Sequence, residues 1–162
     1  MHENKKDSIE ILLVGNNPME MSDIYENLLK YKRGILNAAI TFELNGLLSK
    51  IIKIKPKSIV IDDKYGREEL KAVINSLLHN NKTRHIPITL IKNSNQEVAV
   101  DLGADDFVLK HNLSAIELLA SIKNAVKFRA TRNYFTKTYT RHSGVMSSAL
   151  DQLAKFRSAA SF

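Results

Sequence analysis

Five short aliphatic runs alternate with segments of helical period along this chain, and that alternation restricts the fold more than any other feature. Ile9–Val14, Ile35–Thr41, Ile59–Ile61, Ile86–Ile91 and Asp106–Leu109 are rich in β-branched and aliphatic residues, as buried strands require. Between them, apolar residues return at i, i+3, i+4 and i+7, the spacing of one helix face. Met21, Ile24, Tyr25 and Leu28 fall on one face of a helix predicted over residues 19–32, which Gly34 stops. Leu44, Leu47, Leu48, Ile51 and Ile52 repeat the pattern until Pro56, and Leu70, Val73, Ile74, Leu77 and Leu78 repeat it again. A short helix is predicted over residues 94–102, closed by Gly103. A longer one begins after Ser114, whose hydroxyl suits an N-cap with Glu117 three residues on. Such alternation with short connections implies a parallel sheet wrapped by helices through right-handed crossovers.

The third strand ends in Asp62 and Asp63. In an open α/β sheet the chemistry sits beyond the carboxyl ends of the strands, so these carboxylates stand where a reactive group would be placed. Opening a polar loop is an equally good reading of this stretch alone. No phosphate-cradling glycine loop follows the first strand, which counts against a nucleotide-binding fold.

The chain of 162 residues has room for one domain and a short extension. It holds no cysteine, so disulfides and thiolate metal sites are excluded, and a cytoplasmic setting is expected. No apolar run has the ~20 residues of a membrane span, and no membrane association is expected. The net charge of +7 is unevenly placed: residues 1–112 carry 16 Lys/Arg against 15 Asp/Glu, and residues 113–162 carry 8 against 2. The basic character therefore belongs to the last third.

Four segments stand out in order: Leu12-Leu13-Val14, Pro56 with Ile59-Val60-Ile61-Asp62, Ile86-Pro87-Ile88, and above all Gly103-Ala104-Asp105-Asp106-Phe107-Val108-Leu109-Lys110. Together they resemble the receiver domain of two-component response regulators. The resemblance covers about residues 8–129. It implies a flavodoxin-like (βα)5 doubly wound parallel sheet of strand order 2-1-3-4-5, with residues 130–162 as a basic helical extension or linker. It also implies that Asp62 is the phosphoacceptor, that Lys110 contacts the phosphoryl oxygens, and that Lys92 and Phe107 hold the switch positions. A carboxylate nucleophile and fixed positive charge are what an in-line phosphoryl transfer needs. A sensor histidine kinase or phosphotransfer protein and a downstream protein are the implied partners, and the chain is not expected to be an enzyme.

Four positions depart from the family pattern. Gly15 and Asn16 replace the acidic pair that holds Mg²⁺, Lys92 replaces a Thr or Ser, and His111 replaces a proline usually joined by a cis bond. A unit charge pair at ~4 Å is worth about 4 kcal/mol at an effective dielectric of 20, so the lost carboxylates weaken any Mg²⁺ site formed by Asn16 and Asp62. A Lys92 ammonium reaching Asp62, alone or with Lys110, would neutralise the pocket without metal. The expected protein is then an atypical receiver of phosphorelay signal transduction. Against that stand plainer assignments: Lys92 in solvent, Phe107 as an ordinary core aromatic, and Asp105 and Asp106 as turn and capping groups. A flavin-binding electron carrier of similar topology is a remote third reading.

In the extension, residues from Phe128 to Phe156 recur alternately four and three apart, the spacing of a helix that pairs with another helix. Homodimerisation through this helix is one expectation. Thr136–Thr140 and Gly144 favour instead a break near Ser143, followed by a separate short helix. Arg129, Arg132, Lys137 and Arg141 interleave with Tyr134, Phe135 and Tyr139, which makes a nucleic-acid-associated regulator the runner-up function. With no helix-turn-helix in view, nucleic-acid binding ranks below protein interaction.

Overall fold

The computed structural model describes residues 10–31, 36–93 and 102–159. Its contacts form two compact units, Met1–Arg129 and Ala130–Phe162.

In the first unit five parallel strands stand in the order β2-β1-β3-β4-β5. They are β1 (Ile11–Val14), β2 (Ala38–Thr41), β3 (Ser58–Asp62), β4 (Ile88–Lys92) and β5 (Asp106–Leu109). Every residue of β1, β3 and β4 is buried, as expected of central strands covered on both faces. Side chains of period two sort the aliphatics into two cores. Leu12, Val14, Ile59, Ile61 and Leu90 pack with α2 (Leu47–Ile54) and α3 (Arg67–His79) on one face. Ile11, Leu13, Val60, Ile91 and Val108 pack on the other with α1 (Pro18–Tyr31) and the first turns of α4 (Ala115–Ala159).

The register sets the carboxyl edge of the sheet: Val14 pairs with Ile61, Asp62 with Ile91, and Lys92 with Leu109. Asp62 and Lys92 are thus the last residues of neighbouring strands, and Lys110 follows β5 directly.

Some boundaries differ from the sequence expectation. Strand β4 begins at Ile88, because Pro87 has no N–H for the ladder; its carbonyl still accepts from Ile59 N–H at 3.0 Å. Helix α2 ends at Ile54, two residues before Pro56, with the capping Lys55 in the left-handed region at φ 55° and its N–H bonded to Ile51 O. The Ser114 cap is present, its Oγ accepting from Glu117 N–H at 3.1 Å. The helix expected over residues 94–102 lies outside the described residues except for Leu102, as do Ser94, Gly34, the start of the first strand and Ile35.

Within the second unit α4 runs without a break through Ser143 and Gly144. The threonine hydroxyls are accommodated within the helix: Thr136 Oγ1 donates to Arg132 O and Thr140 Oγ1 to Thr136 O, at 2.9 and 2.8 Å, so each is satisfied one turn back. Nothing lies within 4 Å of where a Gly144 Cβ would be, so that glycine carries only its intrinsic cost.

No helix among the described residues is long and apolar enough to cross a membrane.

Candidate functional site

Asp62 is 1% exposed at the end of β3, and three donors converge on its carboxylate. Lys110 Nζ lies 3.1 Å from Oδ2, while Lys64 N–H (3.0 Å) and Asn93 Nδ2 (3.2 Å) donate to Oδ1. The Lys64 contact is a turn closed by an aspartate on the backbone two residues on. Asp63 turns to the same asparagine, accepting from Asn93 N–H at 3.1 Å and from its side-chain amide. A buried carboxylate survives only when paired and hydrogen-bonded, and this one is both.

The pairing extends beyond Asp62. Glu20, in the first turn of α1, accepts from Lys110 Nζ and from Lys64 Nζ, the latter at 2.8 and 3.0 Å. Lys110 is therefore shared between Asp62 and Glu20, and Lys64 closes the far side. Hydrogen bonds from Lys110 first and Lys64 second hold the Glu20 carboxyl below its ordinary range. Burial opposes the Lys110 charge, yet Glu20 and Asp62 outweigh it and raise its pKa. Tyr65, whose Oη donates to Phe42 O at 2.9 Å, is pushed up to about 12 by burial and then by the Asp62 and Glu69 charges.

Lys92 does not behave as expected. Neither the solvent position nor an ion pair with Asp62 is found: the side chain is 3% exposed, and its ammonium lies 5.2 Å from the Phe107 ring centroid, a cation–π distance. The strand ladder explains this. At the end of β4, Lys92 is in register with Leu109, beside β5, and its side chain turns to the Phe107 that β5 carries. Phe107 in turn is no core aromatic, being 42% exposed.

The first loop is shaped by packing. A Cβ on Gly15 would lie 2.4 Å from Met21 Sδ and 2.9 Å from its Cε. Met21 is buried in the core between β1 and α1, so the methionine thioether occupies the room a side chain at position 15 would need. Asn16 makes only a long contact, its Nδ2 lying 3.5 Å from Lys64 O.

A resident Mg²⁺ does not fit this donor set. The carboxylate oxygens of Asp62 are engaged by an ammonium and two N–H donors, a side chain at position 15 would have to displace the buried Met21 thioether, and Glu20 is held by two lysines. Among the described residues no cluster of three acidic or histidine side chains is arranged to hold a metal ion.

Asp105 is also more than a turn residue. Its buried Oδ2 accepts from Arg129 Nε (3.1 Å), from Arg129 Nη2 (2.5 Å) and from Ile88 N–H (2.8 Å), while Arg129 Nη1 donates to Arg84 O at 3.0 Å. Asp106 is the plain case, its Oδ1 accepting from Phe107 N–H. After β5, Lys110–Asn112 form a 3-10 turn, and no cis peptide occurs among the described residues.

Sequence reasoning placed Asp62 and Lys110 together but missed Glu20, Lys64 and Asn93. Lys64 directly follows the two aspartates and Asn93 directly follows Lys92, so adjacency to a strand end was an available signal for both. Glu20 had no such signal, because its contact with Lys110 spans 90 residues.

No protein-family model matches the chain, and no curated protein matches it. Solved structures do. A response regulator from Desulfuromonas acetoxidans aligns with 74% of this chain and 97% of its own, at 21% identity and a TM-score of 0.59. A signal receiver domain of a signal transduction histidine kinase from Syntrophus aciditrophicus aligns with 74% of this chain and 91% of its own, at 18% identity and 0.59. The receiver domain of a sensor histidine kinase from Pseudomonas aeruginosa, which coordinates a magnesium ion in its active-site cleft, covers 74% of this chain and 98% of its own, at 15% identity and 0.61. With the strand order and the strand-end residues described above, these likenesses establish that the chain has the fold of a response-regulator receiver domain.

Proposed function

We propose that this protein is an atypical receiver that signals through protein–protein contact, with Asp62 in the phosphoacceptor position and its charge balanced internally by lysine. The observation that carries this reading is the shared ammonium of Lys110, 3.1 Å from Asp62 and bonded also to Glu20. Fixed positive charge already stands where a phosphoryl group's oxygens would arrive, so the pocket meets the electrostatic demand of transfer without a divalent ion. The same charge also lowers the nucleophilicity of the carboxylate, because the lone pairs that would attack phosphorus are engaged by donors.

In such a transfer one Asp62 oxygen forms a bond to phosphorus as the bond to the donor breaks, and the leaving group departs with that electron pair. Lys110 must then release Glu20 to follow the new negative charge. The kinase or phosphotransfer protein supplying the phosphoryl group and the protein reading the resulting conformation are the partners this reading requires. Mg²⁺ is at most a weak contributor, and no chemistry beyond accepting a phosphoryl group is assigned to the chain.

The test is intact-mass analysis after incubation with a small phosphodonor such as acetyl phosphate, with and without Mg²⁺, beside Asp62→Asn. The expected result is partial labelling that Mg²⁺ changes little and that Asp62→Asn abolishes. Stoichiometric, Mg²⁺-dependent labelling of Asp62 would overturn the proposed internal charge balance.

A further inference from the structure

Along the second unit, exposed apolar side chains fall on one seam. Arg132, Tyr139, Met146 and Leu153 occupy a positions of a heptad, and Phe135, His142 and Ala149 occupy d positions. Of the seven large apolar residues exposed between 130 and 155, six lie on the seam or beside it: Phe135, Tyr139, Val145, Met146, Leu150 and Leu153. Only Tyr134 faces elsewhere. A 3.5-residue repeat held this long is the pattern of a two-stranded coil.

We infer that residues 132–153 form one strand of an antiparallel coiled coil with a second copy of this chain. Three observations select that occupant. The first is the flanks. Between residues 131 and 153 every e and g position is uncharged (Thr131, Thr136, Thr138, Ser143, Val145, Leu150 and Gln152), while Lys137, Arg141 and Asp151 sit on the outer face. Charges at e and g are what select a foreign partner in coiled coils; here there is no such code, and no repulsion between copies.

The second is the layers. A parallel pair would set Arg132 against Arg132 and His142 against His142. Antiparallel copies centred on residue 144 set Phe135 against Leu153, Tyr139 against Ala149 and His142 against Met146, with Arg132 opposite position 156. Each large ring then meets an aliphatic or small partner, and neither basic residue meets its own copy. Val145 and Ser143 meet their own counterparts beside the two-fold axis, which accounts for a valine exposed outside the a and d positions.

The third is area. Phe135 and Tyr139 from two copies supply four aromatic side chains of roughly 150–250 Å² each. With Met146, Leu150 and Leu153 added, the buried surface passes the ~1,000 Å² that a specific interface needs.

The chain has no cysteine, so engineered thiols report contacts cleanly. Full-length His142→Cys and Met146→Cys are mixed under mild oxidation and the products resolved by mass. The mixed disulfide should dominate, with little of either self-linked dimer. Sedimentation equilibrium of the unmodified chain should give a dimer, and Tyr139→Glu should raise its dissociation constant at least about 30-fold. The far-ultraviolet and thermal signatures of the receiver unit should not change, because Tyr139 is exposed. A chain that stays monomeric at several hundred micromolar, or a self-linked Met146→Cys dimer as the main product, would overturn the proposal.

Discussion

The sulfur of Met21 stands 2.4 Å from where a Cβ on Gly15 would project. The missing acidic residue after β1 is therefore a packing fact as well as a lost charge: the space belongs to a core side chain. Gly15→Ala should destabilise the protein by about 1–3 kcal/mol through overpacking. Met21→Ala, which opens a cavity, should cost about 2–5 kcal/mol. The double variant should cost less than the two added together, with a coupling of about 0.5–3 kcal/mol, measured by chemical denaturation of all four proteins. Additive costs would show that the two positions do not compete for space.

Removing Lys110 tests the charge balance of the pocket. Lys110→Met leaves a buried Asp62 without its ammonium and should cost about 1–3 kcal/mol, the range for an unsatisfied buried polar group. Asp62→Asn in the same background should restore part of that loss, since an amide carries no charge to compensate. A Lys110→Met protein as stable as the parent would mean that the pair contributes nothing.

The pKa shifts give the pocket a defined pH window. Glu20 is lowered, so its contribution is complete above the ordinary carboxyl value of about 4.3 and is lost as pH falls through its folded value. Lys110 is raised, so its contribution is complete below the ordinary lysine value of about 10.4 and is lost as pH rises through its folded value. Tyr65 ionises at about 12 in the fold and near 10 when unfolded, so stability also declines between those two values. Denaturation midpoints should form a plateau over the intervening range, and Glu20→Gln should flatten its acid edge. Spectrophotometric titration should show one late phenolate that Tyr65→Phe removes.

Arg129 and Asp105 form the most buried ion pair among the described residues, 4% and 0% exposed at the side chain. Breaking it from one side leaves a charge in the core, so Arg129→Met should cost about 3–5 kcal/mol. Replacing both with apolar residues should be far milder. Equal losses in the single and double variants would exclude a charge-pair origin.

The fold was legible in the chain because its signals are local. Asp106–Leu109 was read with its observed bounds, since Gly103 and Lys110 frame it. Position 88 as the start of β4 was not legible, because Pro87 keeps a strand-like carbonyl contact while lacking the N–H that would extend the ladder. The sequence left α4 open between a continuous helix and a break near Ser143, because propensity counts against threonine, yet at Thr136 and Thr140 the hydroxyl bonds back along the helix. In the site, Asp62 stood at a strand end, and Lys110 came only through the resemblance around Gly103–Lys110. Glu20 came from a different helix, and Lys92 was misplaced because only the register with β5 shows that Phe107 lies beside it.

The Asp105 carboxylate also has a mechanical meaning. One oxygen holds both Arg129, the last residue of the receiver unit, and the N–H of Ile88, the first residue of β4. The other end of that four-peptide strand is Lys92, and Asn93 beyond it grips both aspartates of the pocket. Within the receiver unit, a single carboxylate oxygen thus fastens Arg129 to the head of a strand whose tail reaches the Asp62 pocket.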